Sequence, residues 1–82
     1  MAEITVRYWA AAREAAGVPE ERVDASGVDA ALAEAVARHG DRLERVLRIA
    51  SLLVDGRRVQ RTDPLALTAG SVVEVLPPFA GG

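Results

Sequence analysis

The stretch VDAALAEAVARH, residues 28–39, decides the fold class of this chain. Apolar residues recur along it at helical spacing and form one face: Val28, Ala31, Leu32, Ala35 and Val36, with His39 last. This period predicts an amphipathic helix. Ser26 with Asp29 resembles a capping box at the start of that helix. Glu34 and Arg38 are spaced as a favourable ion pair on its outer face.

Short apolar runs on both sides of the helix predict the strands of a sheet. Residues 4–9 alternate in polarity, residues 21–25 follow as a shorter run, and residues 52–59 contain the Asp-Gly pair that suits a tight hairpin turn. Residues 72–76 are apolar on both faces apart from Glu74, which predicts a central, covered strand.

Three further segments complete the predicted fold. Residues 10–16 are good helix formers, and Asp41 begins a second, shorter helical turn. Leu65 and Leu67 are expected to anchor a connecting loop. The whole order predicts an α+β roll, in which a mixed sheet of about five strands carries one main helix packed on one face.

Composition limits the function classes. The 82 residues make one small domain, and a net charge of −2 gives no reason to expect a nucleic-acid partner. No segment suits a membrane span or a leader, so we expect a cytoplasmic protein without a membrane partner. The sequence contains no cysteine and one histidine, which excludes thiol nucleophiles and thiolate metal sites and leaves no expected metal site.

All ten basic residues are arginine. A GC-rich genome that favours arginine codons explains this most simply. A functional corollary is that a protein whose activated carboxyl end reacts with amines cannot modify its own lysines if it has none.

The chain ends LPPFAGG, residues 76–82. We predict a domain over residues 1–76 and an extended tail over residues 77–82, mobile in the free protein. Pro77 and Pro78 remove backbone donors and so stop sheet pairing, while Gly81 and Gly82 allow close approach to another surface. The tail presents a carboxylate, which becomes an acyl donor only after an ATP-dependent partner adenylates it. The sequence has no glycine-rich phosphate loop, so ATP would be bound by that partner.

The sequence allows two interpretations for several side chains. Phe79 is either an anchor for a partner, as aromatic residues often are, or packs on its own domain. Trp9 is either a second layer of core or an exposed apolar contact. The basic cluster of Arg57, Arg58 and Arg61 either meets an acidic partner or, as we favour, protects an edge strand from pairing. The adjacent Glu20 and Glu21 are interpreted as a solvated turn rather than an acid/base pair.

Three stretches carry a resemblance to a known family: VRYWAAARE at residues 6–14, LVDG at residues 53–56 and the ending from Gly70 to Gly82. They resemble the β-grasp sulfur carriers of the MoaD/ThiS type, most closely the MoaD type, the small subunits of molybdopterin synthase. The likeness covers the whole chain, but only the ending is specific. The chain departs from the family at Ser71, where members often carry aspartate, and at Phe79, where a smaller apolar residue is usual.

The resemblance implies a ubiquitin-like β-grasp fold and a mechanism. A MoeB/ThiF-type adenylyltransferase would attach AMP to the Gly82 carboxylate, and a sulfurtransferase persulfide would convert it to a thiocarboxylate. The tail, from Pro77 and Pro78 through Phe79, Ala80 and Gly81, would insert into a MoaE-type large subunit and donate sulfur. Arg13 matches a partner-contact position. The chain would bind no cofactor and would act as a carrier rather than as an enzyme.

Other functions remain open at this point. The same chemistry could serve thiazole, cysteine or secondary-metabolite synthesis. An activated Gly82 could instead form isopeptide bonds, as in a ubiquitin-like protein modifier. The chain could also be a plain β-grasp interaction module.

Overall fold

A computed structural model describes residues 2–78 of the protein. It contains five strands and three helices, in the order β1 (Ala2–Tyr8), α1 (Ala10–Ala16), β2 (Glu20–Ala25), α2 (Val28–His39), α3 (Asp41–Leu47), β3 (Ser51–Val54), β4 (Arg57–Val59) and β5 (Val72–Leu76). The predicted main helix is confirmed as α2, and the two shorter helical segments are confirmed as α1 and α3. None of these helices is long and apolar enough to cross a membrane.

The five strands form one mixed sheet in the order β2-β1-β5-β3-β4. β1 and β5 are parallel, with Tyr8 opposite Val75, and the other pairs are antiparallel. β5 is therefore the central strand, as its apolar run predicts. β5, the last strand within residues 2–78, has a neighbour on each side and is held by two ladders of backbone hydrogen bonds.

The core lies between one face of the sheet and the helices. Its largest fully buried side chains are Tyr8, Ile4, Leu32, Leu43, Val6, Val23, Val28, Val73 and Val75. The other face of β5, with Val72, Glu74 and Leu76, is only partly buried. The expectation that β5 is covered therefore holds for one face only. Alternation along the strand separates the two sets, and the helices pack on the first.

The β3–β4 turn is the predicted hairpin turn. Asp55 and Gly56 both have positive φ, at 49° and 85°, which is the backbone of a primed two-residue turn. The turn is also tied to the start of β5. The Val72 N–H donates to Asp55 Oδ1 at 2.9 Å, and the Asp55 N–H donates to the Val72 carbonyl at 3.0 Å.

The predicted capping box at the start of α2 is wrong. The N-cap residue is Gly27, and no side chain caps the helix there. Asp29 instead accepts a hydrogen bond from Arg61 Nε at 2.8 Å, and Arg61 also donates to Glu44 Oε2 at 2.9 Å. A guanidinium with several donors can join two carboxylates, so Arg61 ties α2 and α3 to the segment after β4.

Glu21 lies in a polar cluster that the sequence did not reveal. Its carboxylate accepts hydrogen bonds from the Tyr8 hydroxyl, from His39 Nε2 at 2.6 Å and from Arg38 at 3.3 Å. The interpretation of Glu21 as part of a solvated turn is therefore wrong. β2 begins one residue earlier than expected, so Glu20 points to the other face and pairs with Arg7 at 3.0 Å. The cluster joins the end of α2 to β1 and β2.

The cluster shifts two pKa values. Burial raises the pKa of Tyr8 first, and the hydrogen bond to Glu21 raises it further. Burial would raise the pKa of Glu21 as well, but the hydrogen bonds from Tyr8, His39 and Arg38 outweigh burial and lower that pKa. The folded chain therefore stabilises the ionised form of Glu21.

The lowered pKa of Glu21 predicts that part of the unfolding free energy depends on pH in the acid range. A carboxyl whose pKa is lower in the folded chain stabilises the fold above its unfolded pKa, about 4.3 for glutamate, and that contribution is lost as the pH falls through the folded value. We expect Glu21→Gln to flatten the decrease in unfolding free energy at acid pH. Urea unfolding at neutral and successively lower pH measures this, with Glu20→Gln as the control. Equal slopes in the two variants would contradict the prediction.

Candidate functional site

The predicted C-terminal tail begins where the central strand ends. β5 ends at Leu76, and Pro77 and Pro78 follow as exposed residues. Neither proline has a backbone N–H, so neither can continue the donor pattern of the ladder. The other predicted tail residues, Phe79, Ala80, Gly81 and Gly82, lie outside the described residues. The boundary between a domain over residues 1–76 and a tail over residues 77–82 stays a prediction.

An apolar groove lies beside this point, and we call it the exit groove. It has a volume of about 100 Å³ and is lined by Trp9, Ala10, Ala11, Ala12, Val46, Ile49, Ala50, Leu76, Pro77 and Pro78. Trp9 and Ile49 are 44% and 66% exposed, and among residues 2–78 they are the exposed large apolar side chains. Large exposed apolar groups that cluster at one place indicate a contact surface.

Trp9 is held in place at the rim of the exit groove. It follows the last residue of β1, and its backbone N–H donates to the Val75 carbonyl at 3.0 Å. Its indole Nε1–H donates to Glu74 Oε2 at 3.0 Å. Ala10 then turns the chain with a positive φ of 50° into α1. Trp9 is therefore exposed and does not form a second layer of core. Its use as a contact stays a prediction.

The open face of the sheet continues from the exit groove. The register places Leu53 opposite Glu74, which lies opposite Arg7 on its other side. Leu53, Val72 and Leu76 are partly buried on this face. A row of half-exposed apolar side chains with one acidic and one basic residue therefore leads across the sheet to the start of the tail.

A second groove, which we call the basic groove, lies on the other side of Pro78. It has a volume of about 400 Å³ and is lined by Leu47, Arg48, Ile49, Ala50, Ser51, Leu52, Arg58, Val59, Gln60, Arg61 and Pro78. Arg48 and Arg58 are exposed. Arg61 is half-buried and pairs with Asp29 and Glu44. β4, which carries Arg57 and Arg58, is an edge strand, as the edge-protection interpretation requires.

Arg13 does not lie in either groove. It is exposed on α1 and lines a separate shallow groove with Ala10, Glu14, Gly17, Val18 and Pro19. The structure therefore brings Trp9 to the start of the tail and leaves Arg13 on a neighbouring surface. A role for Arg13 as a partner contact stays a prediction.

Sequence reasoning missed Ile49 and Arg48. Both follow the end of α3 and belong to no periodic pattern, so only their position beside Pro78 marks them. The available signal in the sequence was Ile49 itself, a large apolar residue that lies between Arg48 and Ala50 and fits no helical or strand pattern. In the part of the chain that the structure describes, no group of three histidine, cysteine or acidic side chains is placed to hold a metal ion.

Comparisons with known proteins identify the family and the fold of this chain. Residues 6–82 match the ThiS family. A molybdopterin synthase sulfur carrier subunit from Chlamydomonas reinhardtii is 32% identical over 98% of this chain and 99% of its own length. The solution structure of small archaeal modifier protein 1 from Methanosarcina acetivorans is 26% identical and covers 100% of this chain and 98% of its own, with a TM-score of 0.83.

A more distant solved structure shares the fold. In a complex of subunits 1 and 2 of the Helicobacter pylori molybdopterin-converting factor, one chain is 18% identical, with a TM-score of 0.70, and covers 98% of this chain and 99% of its own. The predicted β-grasp fold is thereby confirmed, since the family match spans nearly the whole chain and the relatives align over their full lengths. The chain belongs to the ThiS/MoaD family of ubiquitin-like β-grasp sulfur carriers.

Proposed function

We propose that this chain is the sulfur-donating small subunit of a molybdopterin synthase, with the carboxyl group of Gly82 as the reacting group. One observation carries the proposal: the central strand β5 runs directly into Pro77 and Pro78 beside an exposed apolar groove. The chain can thus present its last residues to another protein while the exit groove binds that protein's surface. The relative from Chlamydomonas reinhardtii supports the choice of pathway.

The chemistry takes place on the terminal acyl group. The Gly82 carboxylate attacks the α-phosphorus of ATP on a MoeB/ThiF-type adenylyltransferase, and pyrophosphate leaves. A persulfide sulfur from a sulfurtransferase then attacks the acyl carbon and displaces AMP. Cleavage of the remaining S–S bond by a thiol leaves the thiocarboxylate. The chain supplies the acyl group and the recognition surface, and the partners supply ATP, sulfur and side-chain catalysis.

The tail then delivers sulfur to a second partner. We propose insertion of residues 77–82 into a MoaE-type large subunit in the cytoplasm, with Phe79 as an anchor and the two glycines in a narrow channel. The Helicobacter pylori complex of subunits 1 and 2 supports a partner of this kind. Glycine suits a narrow channel because it has no side chain and adopts most backbone torsions.

The test is a mass measurement. The purified chain is incubated with a MoeB/ThiF-type enzyme, ATP and a sulfur source, and intact-mass spectrometry follows the exchange of one oxygen for sulfur at Gly82. The loaded chain with a MoaE-type subunit should convert a pterin precursor to its dithiolene product. A chain that gains no sulfur with any such enzyme would contradict the proposal.

A second candidate function is a ubiquitin-like protein modifier. The similarity to small archaeal modifier protein 1 favours the modifier function, because the archaeal protein matches the present chain over its whole length. The two functions share the activation step and differ in the acceptor. Branched conjugates with lysine side chains of other proteins, in the presence of the activating enzyme and ATP, would support the modifier.

The exit groove yields a prediction about binding. We expect Trp9→Ala to weaken binding to the adenylyltransferase or the large subunit at least about tenfold, since exposed aromatic residues are frequent binding hot spots. The thermal midpoint should change little, because the indole is 44% exposed. Isothermal titration calorimetry measures the affinity.

The control for Trp9→Ala is Leu65→Ala, which removes a partly buried apolar side chain in a different groove, next to Pro64. It should lower stability without lowering affinity. Equal affinities for Trp9→Ala and the unchanged chain would show that partners do not use the exit groove.

A further inference from the structure

Glu74 is an acidic residue on the open face of the central strand, where that face leads to the exit groove. Val72 and Leu76 lie two residues away on the same face of β5. We propose that Glu74 is a positioning residue, whose carboxylate holds the Trp9 indole in one orientation at the rim of the exit groove before a partner binds. This role rests on the proposed function, because it concerns the surface through which the chain would bind its partners.

The backbone of Trp9 is fixed on both sides of its side chain. Its N–H donates to the Val75 carbonyl at 3.0 Å, and its carbonyl accepts from the Ala12 N–H at 3.0 Å. Its backbone angles are extended, with φ of −124° and ψ of 149°. The two side-chain torsions of the indole are therefore the freedom that remains to this residue.

Burial alone does not fix these torsions, because Trp9 is 44% exposed. The indole Nε1–H instead donates to Glu74 Oε2 at 3.0 Å, across 65 residues of sequence. A carboxylate is a strong acceptor for an N–H group. Because β5 is paired on both sides, this hydrogen bond attaches the indole to the central strand of the sheet.

The neighbours of Glu74 on the open face allow it to accept from the indole. The register places Arg7 directly opposite Glu74 on β1, but the Arg7 Nε donates to Glu20 Oε1 at 3.0 Å. On the other side of Glu74 the register places Leu53, which carries no charge. The cation opposite Glu74 is therefore drawn towards β2, while the carboxylate binds the indole.

A side chain that is ordered before binding loses less conformational freedom in the complex. Glu74→Ala removes the acceptor, so the indole would have to be ordered by the partner, and we expect binding to weaken about three- to tenfold. Glu74→Gln keeps an oxygen acceptor at the same distance along the side chain. It should therefore bind within about twofold of the unchanged chain.

The first measurement uses the full chain without a partner. Trp9 is the single tryptophan of the sequence, so one indole N–H signal in a proton–nitrogen NMR spectrum reports on it. Glu74→Ala should shift this signal and speed its exchange with water at least about threefold, since the N–H loses its acceptor. Glu74→Gln should leave both close to those of the unchanged chain.

The matched control is Glu3→Ala, which removes an exposed glutamate of β1 that pairs with Arg22 at 3.5 Å. It should leave the indole signal of Trp9 unchanged. Circular dichroism verifies that each variant folds. If Glu74→Ala does not fold, Glu74→Leu takes its place, because it removes the acceptor and keeps a long side chain.

The second measurement is isothermal titration calorimetry with a MoaE-type large subunit. Glu74→Ala is made both in the unchanged chain and in a Trp9→Phe chain, whose ring has no N–H to donate. In the Trp9→Phe chain it should change the affinity by less than about twofold, because Glu74 acts through the indole.

Three results would overturn the role of Glu74. They are an indole signal that Glu74→Ala leaves unchanged, an affinity that Glu74→Ala leaves unchanged, and an equal loss of affinity in the Trp9→Phe chain, which would place Glu74 in direct contact with the partner. A chain that binds no large subunit would contradict the proposed function instead. The indole measurement needs no partner and would then decide by itself whether Glu74 holds Trp9.

Discussion

Adding one residue after Gly82 is expected to reduce sulfur loading at least about a hundredfold. The extra residue moves the carboxyl group by up to about 3.6 Å, and a displacement of even 1 Å at a reacting centre can reduce a rate by about two orders of magnitude. A glycine added after Gly82 changes only the position of the terminal carboxyl group, because it introduces no side chain. Gly82→Ala tests the width of the channel, because it adds one methyl group and leaves the chain length unchanged.

The control for this experiment is the same residue added at the amino end, which precedes β1. That variant should load sulfur at the normal rate. Intact-mass spectrometry over time, with the activating enzyme, ATP and a sulfur source, gives both rates. Normal loading of the C-terminally extended chain would show that Gly82 is not the reacting residue.

Deleting Gly81 and Gly82 separates function from folding. Neither residue has a side chain to bury, and both follow the central strand by several residues. The deletion should abolish loading and shift the thermal midpoint by less than about 2 °C, which corresponds to a few tenths of a kcal/mol for a domain of this size. A large decrease in the midpoint would show that these residues stabilise the domain.

The second large effect is expected at Glu21. Glu21→Ala should lower the free energy of unfolding by about 3 kcal/mol, because it leaves the Tyr8 hydroxyl without its acceptor and removes the carboxylate that faces Arg38 and His39. Tyr8 is 1% exposed, so water cannot easily replace the lost acceptor. For 82 residues a typical total is roughly 4–12 kcal/mol, so the loss is a large fraction.

The chain offers a close control for Glu21→Ala in its neighbour. Glu20 points to the opposite face of β2, and its side chain forms an exposed pair with Arg7. Glu20→Ala should change stability by less than about 1 kcal/mol, as exposed ion pairs usually do. Urea unfolding of both variants measures the difference. Equal losses would mean that the Glu21 cluster does not hold α2 on the sheet.

The sequence alone determined those features whose cause is local. The helical period of residues 28–39 determines α2, since the spacing of the apolar residues places them on one face of a helix. Asp55 and Gly56 set the hairpin turn, because few other pairs adopt two successive positive φ angles. The apolar run of residues 72–76 sets β5 as the central strand, so that Pro77 and Pro78 follow the end of that strand.

The tertiary structure decided those features that depend on distant neighbours. Ser26 and Asp29 form no capping box, because the helix begins after Gly27, and the Asp29 carboxylate instead pairs with Arg61, 32 residues away. Glu21 is drawn into a cluster by Tyr8 and His39, which no local pattern brings together. Ile49 and Trp9 form one groove only after α3 and the end of β1 meet beside Pro78. A contact between residues far apart in sequence depends on the topology of the chain, so the spacing of residues within a short segment cannot predict it.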